Sequence, residues 1–372
     1  MLLSQSETLS LAIPLAIFAF VFGAIIGSFL NVVIYRIPAG RSIVRPPSSC
    51  PRCGHRLRPL ELIPILSWVL QQGRCNHCGQ PISARYPAIE ALTGALFAVA
   101  AALRPEFPAL LFIWAFIAIL IALSFIDIDT YEVPDVLSYG GLALGLLAAP
   151  FIFPGGFSPA LDAALMAAGL LALINGYGVL VVTRGRGNKP EGPVGLQTLY
   201  FAATVGAWLG PAAGLVAGFL NWGLNARSTR VWAAPEALTL GLALLGPLVA
   251  WLVPGWPLSA QEALRGLLIA GGGIALAGGL YWAFRSMPEE DEEEVVVLGF
   301  GDVKLAGMLG AWVGFWPFVV GMFVAVVVGA VIGLALRERK VPFVPYLALG
   351  GVVALFFGQQ IINWYISYLG IG

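Results

Sequence analysis

Two aspartates stand at the ends of apolar segments: Asp127 closes the run Ile113 to Ile126, and Asp302 opens the run that begins Gly299-Phe300-Gly301-Asp302-Val303-Lys304. An ionised side chain near a bilayer costs several kcal/mol unless something compensates, so an acid placed there is a functional-site hypothesis by default. Two carboxylates close enough to share a proton can hydrolyse a peptide bond. The ionised one takes a proton from the attacking water, the protonated one polarises the scissile carbonyl, and the two titrate as a pair. Gly299 and Gly301 allow the backbone a tight approach or unusual dihedrals beside Asp302. The structural alternative is that Asp127, Asp129 and Asp135 cap helices or sit in interfacial water, and that Asp302 caps its own helix. Asp129 and Asp135 also compete with Asp127 for the catalytic role, although capping explains Asp135, which follows Pro134, well. Lys304 has two candidate partners, an acid or a lipid phosphate.

The second constellation is Cys50-Pro51-Arg52-Cys53 and Cys75-Asn76-His77-Cys78, which contains all four cysteines of the chain. Paired C-x-x-C knuckles, each followed by a glycine (Gly54 and Gly79), can supply four thiolates at about 2.3 Å to a tetrahedral zinc. A closed shell of this kind is structural. Disulfides are the competing reading, which a reducing cytoplasm disfavours. His55 and His77 are alternative ligands, better read as neighbours when four thiolates are present. A block of about 50 residues buries little core by itself, so its fold is expected to depend on the metal.

These residues must be positioned by membrane helices. The chain has 372 residues, 59% hydrophobic and 11% charged, against a charged fraction of about 25% for soluble globules. That excludes an ordinary soluble domain. Twenty Lys and Arg balance twenty Asp and Glu, so net charge points to no polyanionic partner, and no nucleic acid is expected. The first apolar run, Leu9 to Ile34, passes into an Arg-rich segment without a small-residue cleavage site and reads as a retained transmembrane helix. Between Arg36 and Arg85 eight arginines face the single acid Glu61, which places this block in the cytoplasm and the N-terminus outside.

Further spans are expected at about Ala88 to Leu103, Leu110 to Ile126, Val136 to Phe153, Ala160 to Val182, Leu196 to Leu209, Ala212 to Leu224, Ala237 to Val253, Gln261 to Phe284, Val303 to Val313, Phe318 to Leu336 and Tyr346 to Leu369, twelve with the first. Leu196 to Leu209 and Val303 to Val313 are short for a span of about 20 residues and read as tilted, re-entrant or buried. Basic loops at Arg184, Arg186 and Lys189, at Arg227 and Arg230, and at Arg337, Arg339 and Lys340 fall on the cytoplasmic side in this count. Asp127 and Asp302 then both lie at the cytoplasmic face.

Gly206-Ala207-Trp208-Leu209-Gly210 echoes Gly310-Ala311-Trp312-Val313-Gly314, and Pro134-Asp135-Val136-Leu137 echoes Pro235-Glu236-Ala237-Leu238. A tandem duplication of about 100 residues follows. In register, Thr198 stands opposite Asp302 and Ser228 opposite Asp127, so the inner copies lack the acids. The expected organisation is a first transmembrane helix (1–36), a cytoplasmic zinc-binding domain (37–87), membrane segments with the first aspartate (88–153), a degenerate repeat insert (154–256) and membrane segments with the Gly-x-Gly-Asp half-site (257–372). The acidic run Glu289-Glu290-Asp291-Glu292-Glu293-Glu294 reads either as a solvated loop or as an electrostatic guide for a basic peptide.

Together these blocks resemble the bacterial type IV prepilin peptidases, also called prepilin leader peptidase/N-methyltransferases. The resemblance runs through Gly27-Ser28-Phe29-Leu30-Asn31-Val32-Val33-Ile34-Tyr35-Arg36-Ile37-Pro38, both knuckles, Ile63-Pro64-Ile65-Leu66-Ser67-Trp68, and Ile82 to Pro87 with Glu90. It continues through Ile126-Asp127-Ile128-Asp129 to Val133-Pro134-Asp135, the Gly-x-Gly-Asp motif and Pro342-Phe343-Val344-Pro345-Tyr346-Leu347-Ala348-Leu349-Gly350. It implies an all-α polytopic inner-membrane aspartyl endopeptidase with Asp127 and Asp302 as its pair. Gly299, Gly301, Lys304, Asp129 and Asp135 would support them, and Cys50, Cys53, Cys75 and Cys78 would hold structural Zn2+. The family cleaves a basic leader after glycine, on the cytoplasmic side, from type IV prepilins or type II secretion pseudopilins. Many members then methylate the new N-terminus with S-adenosylmethionine, for which no residue of this chain is indicated. The family usually has about eight membrane segments, the number left when the four-segment insert is removed. A proton-coupled transporter is the alternative from a different class, and a methyltransferase without proteolysis is a third reading.

Overall fold

The computed structural model describes residues 5–183, 192–228, 230–285, 298–337 and 341–370. Among them the regular elements are helices, as the apolar runs require: in hydrocarbon a backbone must satisfy its own hydrogen bonds within the segment. In chain order these are α1 (Gln5–Arg36), α2 (Leu66–Leu70), α3 (Arg85–Leu103), α4 (Ala109–Thr130), α5 (Asp135–Ile152), α6 (Phe157–Val182) and α7 (Leu196–Leu209). They continue with α8 (Pro211–Arg227), α9 (Glu236–Leu252), α10 (Ala260–Ala283), α11 (Phe300–Val313), α12 (Phe315–Leu336) and α13 (Val344–Leu369). Each of the twelve expected apolar segments is one of these helices. Among the described residues eight are long and apolar enough to cross a membrane, namely α1, α3, α4, α5, α6, α10, α12 and α13. The others, α7 and α11 at 14 residues and α8 and α9 at 17, are shorter.

The chain divides into two compact units, residues 1–137 with 324–352, and residues 138–323 with 353–372. In the first unit α1 packs along α3 and touches α4. Gly23 and Gly27 of α1 let the two backbones meet, since a Cβ at either position would lie within 3.0 Å of α3 backbone atoms, the small-residue mode of association expected where lipid removes the hydrophobic drive. Trp114 of α4 donates its indole N–H to the Phe97 carbonyl at 3.0 Å and stacks on that ring at 5.2 Å.

The second unit is built on the crossing of α6 and α10. A Cβ at Gly169 would collide with the Leu268 carbonyl, and one at Gly272 with the Leu165 carbonyl. These contacts are reciprocal, because Gly272 lies 103 residues after Gly169 and Leu268 103 after Leu165. The short helices continue the pattern. α7 packs on α9 and α10, with Gly206 pressed on the Gly266 carbonyl and the Trp208 indole donating to the Leu242 carbonyl at 2.9 Å. α11 packs on α6, with Gly310 pressed on the Ala163 carbonyl and the Trp312 indole donating to the Gly141 carbonyl of α5 at 2.8 Å. Gly210 and Gly314, at φ +92° and +85°, end the two short helices in the same way. The echo in the sequence is therefore an echo in contacts, with each short helix seated on the long helix of the other copy.

The steric argument is testable. At Gly272 the obstructing atoms are backbone, which cannot swing aside, so Gly272→Ala is expected to cost about 1–3 kcal/mol, the range for overpacking. Leu170→Ala, on α6 beside Gly169 and half-exposed, removes volume near the same crossing without pushing the backbones apart; thermal unfolding in detergent should rank the glycine variant lower.

Candidate active site and metal centre

Between α1 and α3 the chain forms the arginine-rich polar block, with two near-identical knuckles. In the first, Cys50 donates its N–H to His55 O at 2.9 Å and accepts that of Gly54 at 2.9 Å; in the second, Cys75 and Gly79 repeat this with Gln80 at 2.9 and 2.8 Å. Gly54 and Gly79 both sit at φ +69°, which a residue with a Cβ adopts only under strain. The turns bring the sulfurs of Cys50, Cys53, Cys75 and Cys78 within 4.8 Å of one another, and Cys50 Sγ and Cys78 Sγ are 3.9 Å apart. A tetrahedron with metal–sulfur bonds of about 2.3 Å has edges of about 3.8 Å, so the four cysteines fit one ion. Electrostatics agree. The N–H groups of Cys53 and Arg52 bring the Cys50 thiol down to about 7. Cys78, although it receives the Gln80 N–H, is pushed up to about 11 by burial and by the sulfurs of Cys53, Cys75 and Cys50. Crowded thiolates of this kind call for a cation.

The histidines stand outside the sulfur cluster, stacked on each other at 4.6 Å. Glu61, the block's single acid, accepts from the Arg58 N–H at 2.8 Å and the Asn76 amide at 3.1 Å, joining the two knuckles. The Arg58 N–H, then Asn76 and His55, hold it below the ordinary carboxylate range.

Asp127 lies in the last turn of α4, 5% exposed. Its backbone carbonyl accepts the N–H of Tyr131, which ends the helix at φ +56°, and its carboxylate Oδ2 accepts the N–H of Val344 at 3.0 Å. Asp129, two residues on, is engaged elsewhere: both its oxygens lie 2.7 Å from the Arg85 guanidinium, which also donates to the Phe125 carbonyl at 3.2 Å and covers the Phe125 ring. This fork ties the end of α4 to the start of α3 and engages both oxygens of Asp129. Asp135 is the first residue of α5, one position past the cap, and its charge lies at the helix N-terminus.

Asp302 belongs to the second unit, and it is not the cap of its helix. Gly299 holds that position with no side-chain cap, and the Asp302 N–H donates to the Gly299 carbonyl at 3.0 Å. The glycine freedom expected here is not used, because Gly299 sits at φ −60° and ψ 141°, open to any residue. A Cβ at Gly299 would lie 3.6 Å from Asp302 Oδ2, an ordinary contact distance, so the backbone here runs beside the carboxylate. The approach to α11 is held by Asn175 of α6, which accepts the Leu298 N–H at 2.9 Å. Lys304 lies over the rings of Tyr139 and Phe300, 6.0 and 5.8 Å from their centroids, and the Tyr139 hydroxyl donates to the Leu276 carbonyl at 2.9 Å. An aromatic surround is thus added to the two partners considered for Lys304.

In the inner copy, Thr198 occupies the place of Asp302 and donates to Asn221 Oδ1 at 3.0 Å. Asn225 bonds Asn221 in turn and exchanges two hydrogen bonds with the backbone of Trp232. The polar positions are kept there and the charge is gone. The acidic run 289–294 lies outside the described residues, as do Arg184, Arg186, Lys189, Arg339 and Lys340. Two contributors, Glu90 and Arg85, carried no chemical reading from the sequence. Glu90 is 8% exposed in α3 and accepts the Ile65 N–H at 2.7 Å, holding a residue at φ +61°. The rule that singled out Asp127, an acid inside an apolar helix, would have found it.

A model of the bacterial peptidase A24 N-terminal domain matches residues 21–103, and one of the type IV leader peptidase family matches residues 114–226 and 233–334. The chain belongs to the type IV leader peptidase family. Its relatives include the prepilin leader peptidase/N-methyltransferase of Aeromonas hydrophila, 28% identical over 94% of this chain and 92% of that protein. The proteins of the same name from Myxococcus xanthus and Dickeya chrysanthemi are 46% and 40% identical, over 41% and 50% of this chain and 45% and 72% of theirs. No solved structure matches. This enzyme is accordingly a multi-pass membrane protein of a peptidase family, and the transporter reading finds no support.

Two outcomes are expected from this geometry. Cys53→Ser should lose most of the bound metal, measured by elemental analysis of purified protein, whereas His77→Ala should keep it. Arg85→Lys, which cannot form the planar fork, should lower activity several-fold, and reversing the pair as Arg85→Asp with Asp129→Arg should recover part of it.

Proposed function

We propose that this enzyme is an aspartyl endopeptidase that removes the basic leader of type IV prepilins or pseudopilins after glycine, with Asp127 and Asp302 as its catalytic pair. The observation that carries the reading is the family match, which takes in both aspartates. It is supported by Asp129 being spent on Arg85 while Asp127 keeps one oxygen for chemistry. The ionised member of the pair accepts a proton from water as its oxygen attacks the scissile carbonyl. The protonated member donates to the carbonyl oxygen as the tetrahedral intermediate forms. Its collapse expels the amine, which takes up a proton, and the pair returns to its shared-proton state. The charge bias of the arginine-rich block supports a cytoplasmic face of the inner membrane for this chemistry. The four cysteines would hold zinc as a structural ion that fixes the block. S-adenosylmethionine would supply an electrophilic methyl group to the new N-terminal amine, an activity taken from the relatives' names.

The acid-free copy has a proposed place in this scheme. By packing, α7 and α10 carry α8 and α9, and α10 rests on α6, which also holds the Asp302 helix α11; α6, inside the 154–256 insert, would thus support the Asp302 half-site. The equivalent tryptophans test it: Trp312→Phe should reduce cleavage and Trp208→Phe should spare it, with both lowering thermal stability alike.

The decisive experiment is cleavage of a synthetic prepilin by purified protein in detergent, followed by mass spectrometry. Asp127→Asn and Asp302→Asn are each expected to lose at least about 100-fold in kcat, the scale of an acid–base group, while Asp129→Asn keeps measurable activity. Wild-type rates in either of the first two variants would overturn the assignment. A wild type that adds a methyl without removing a leader would favour the methyltransferase-only reading.

A further inference from the structure

The Oδ2 contact of Asp127 comes from an unusual donor. Val344 is the first residue of α13, and the carbonyl of Phe343 before it accepts the N–H groups of Tyr346 and Leu347, each at 3.1 Å, so Phe343 is the cap and Val344 the first helical position. The first N–H groups of a helix have no partner within it. Here one of them, on a residue only 1% exposed, is spent on the carboxylate of another helix. Pro345, next in the chain, has no N–H to offer. The start of α13 is itself fixed: the Tyr346 ring fills the space over Gly329 of α12, 3.2 Å from where a Cβ would lie.

We propose that the Val344 N–H is a positioning group for cleavage, a reading that rests on Asp127 being catalytic. A free carboxylate turns about two side-chain torsions. A donor carried by a helix backbone has no torsion of its own to lose, so holding Oδ2 there leaves Oδ1 as the oxygen that exchanges the proton with the attacking water. The Pro-Phe-Val-Pro segment thereby acquires a role: it stops the helix so that its first donor meets the acid.

The test deletes the donor and little else. Val344→Pro removes the N–H at the first helical position, where proline is best tolerated. Val344→Ala trims the side chain and keeps the donor. With the synthetic prepilin, Val344→Pro should lower kcat by about 10- to 100-fold, the scale of a hydrogen bond to a charged group. KM should stay within about 2-fold, and Val344→Ala should stay near wild type. Wild-type kcat in Val344→Pro, or an equal loss in Val344→Ala, would overturn the proposal. If the proline variant unfolds, the α-hydroxy analogue of valine at 344 replaces the N–H by oxygen and gives the same two outcomes. A wild type that cleaves nothing, or an Asp127→Asn variant that cleaves normally, sinks the catalytic reading instead.

Discussion

Within a bilayer nothing outside the protein pays for an unsatisfied polar group, and the structure follows from that constraint. Helices satisfy their own backbones, and since lipid is as apolar as leucine they associate through close approach rather than through burial. The crossing of α6 and α10 shows how far this goes. Gly169 and Gly272 place each helix against the carbonyls of the other, and α7 and α11 are then seated on the two long helices through Gly206 and Gly310. The position of Asp302 is a consequence of that seating, because α11 has 14 residues and depends on its neighbours for support.

The same constraint governs the charges. Three acids in the first unit each have a donor matched to them: Arg85 for Asp129, the Ile65 N–H for Glu90 and the Val344 N–H for Asp127. These pairings join elements distant in sequence, with separations of 44, 25 and 217 residues. Asp129 receives a full guanidinium fork and becomes a structural link between α3 and α4. Asp127 receives a single neutral donor on one oxygen. Two carboxylates two residues apart on one helix thus differ in what they are given to bind.

The inner copy keeps contacts of the outer one, down to the tryptophan that closes each short helix, while Thr198, Asn221 and Asn225 are neutral and bonded to one another. The cysteine block is the contrasting case, where like charges are crowded together and a metal ion is the natural means of relieving them.

Much was legible in the chain itself. The twelve apolar segments, the arginine-rich block, the paired knuckles and the two aspartates beside apolar runs follow from hydropathy, charge bias and spacing, because each rests on features local in sequence. The repeat was readable too, since Gly-Ala-Trp-x-Gly recurs at a fixed distance. What sequence reasoning could not reach was partnership. Which short helix rests on which long one, that Asp129 is paired with Arg85, and that the start of α13 holds Asp127 all depend on contacts between remote segments. The Gly-x-Gly pair shows the limit most plainly: the motif advertises backbone freedom, yet Gly299 takes an ordinary conformation beside the Asp302 carboxylate. Residue type sets what a position can do, and packing alone selects which of those abilities is used.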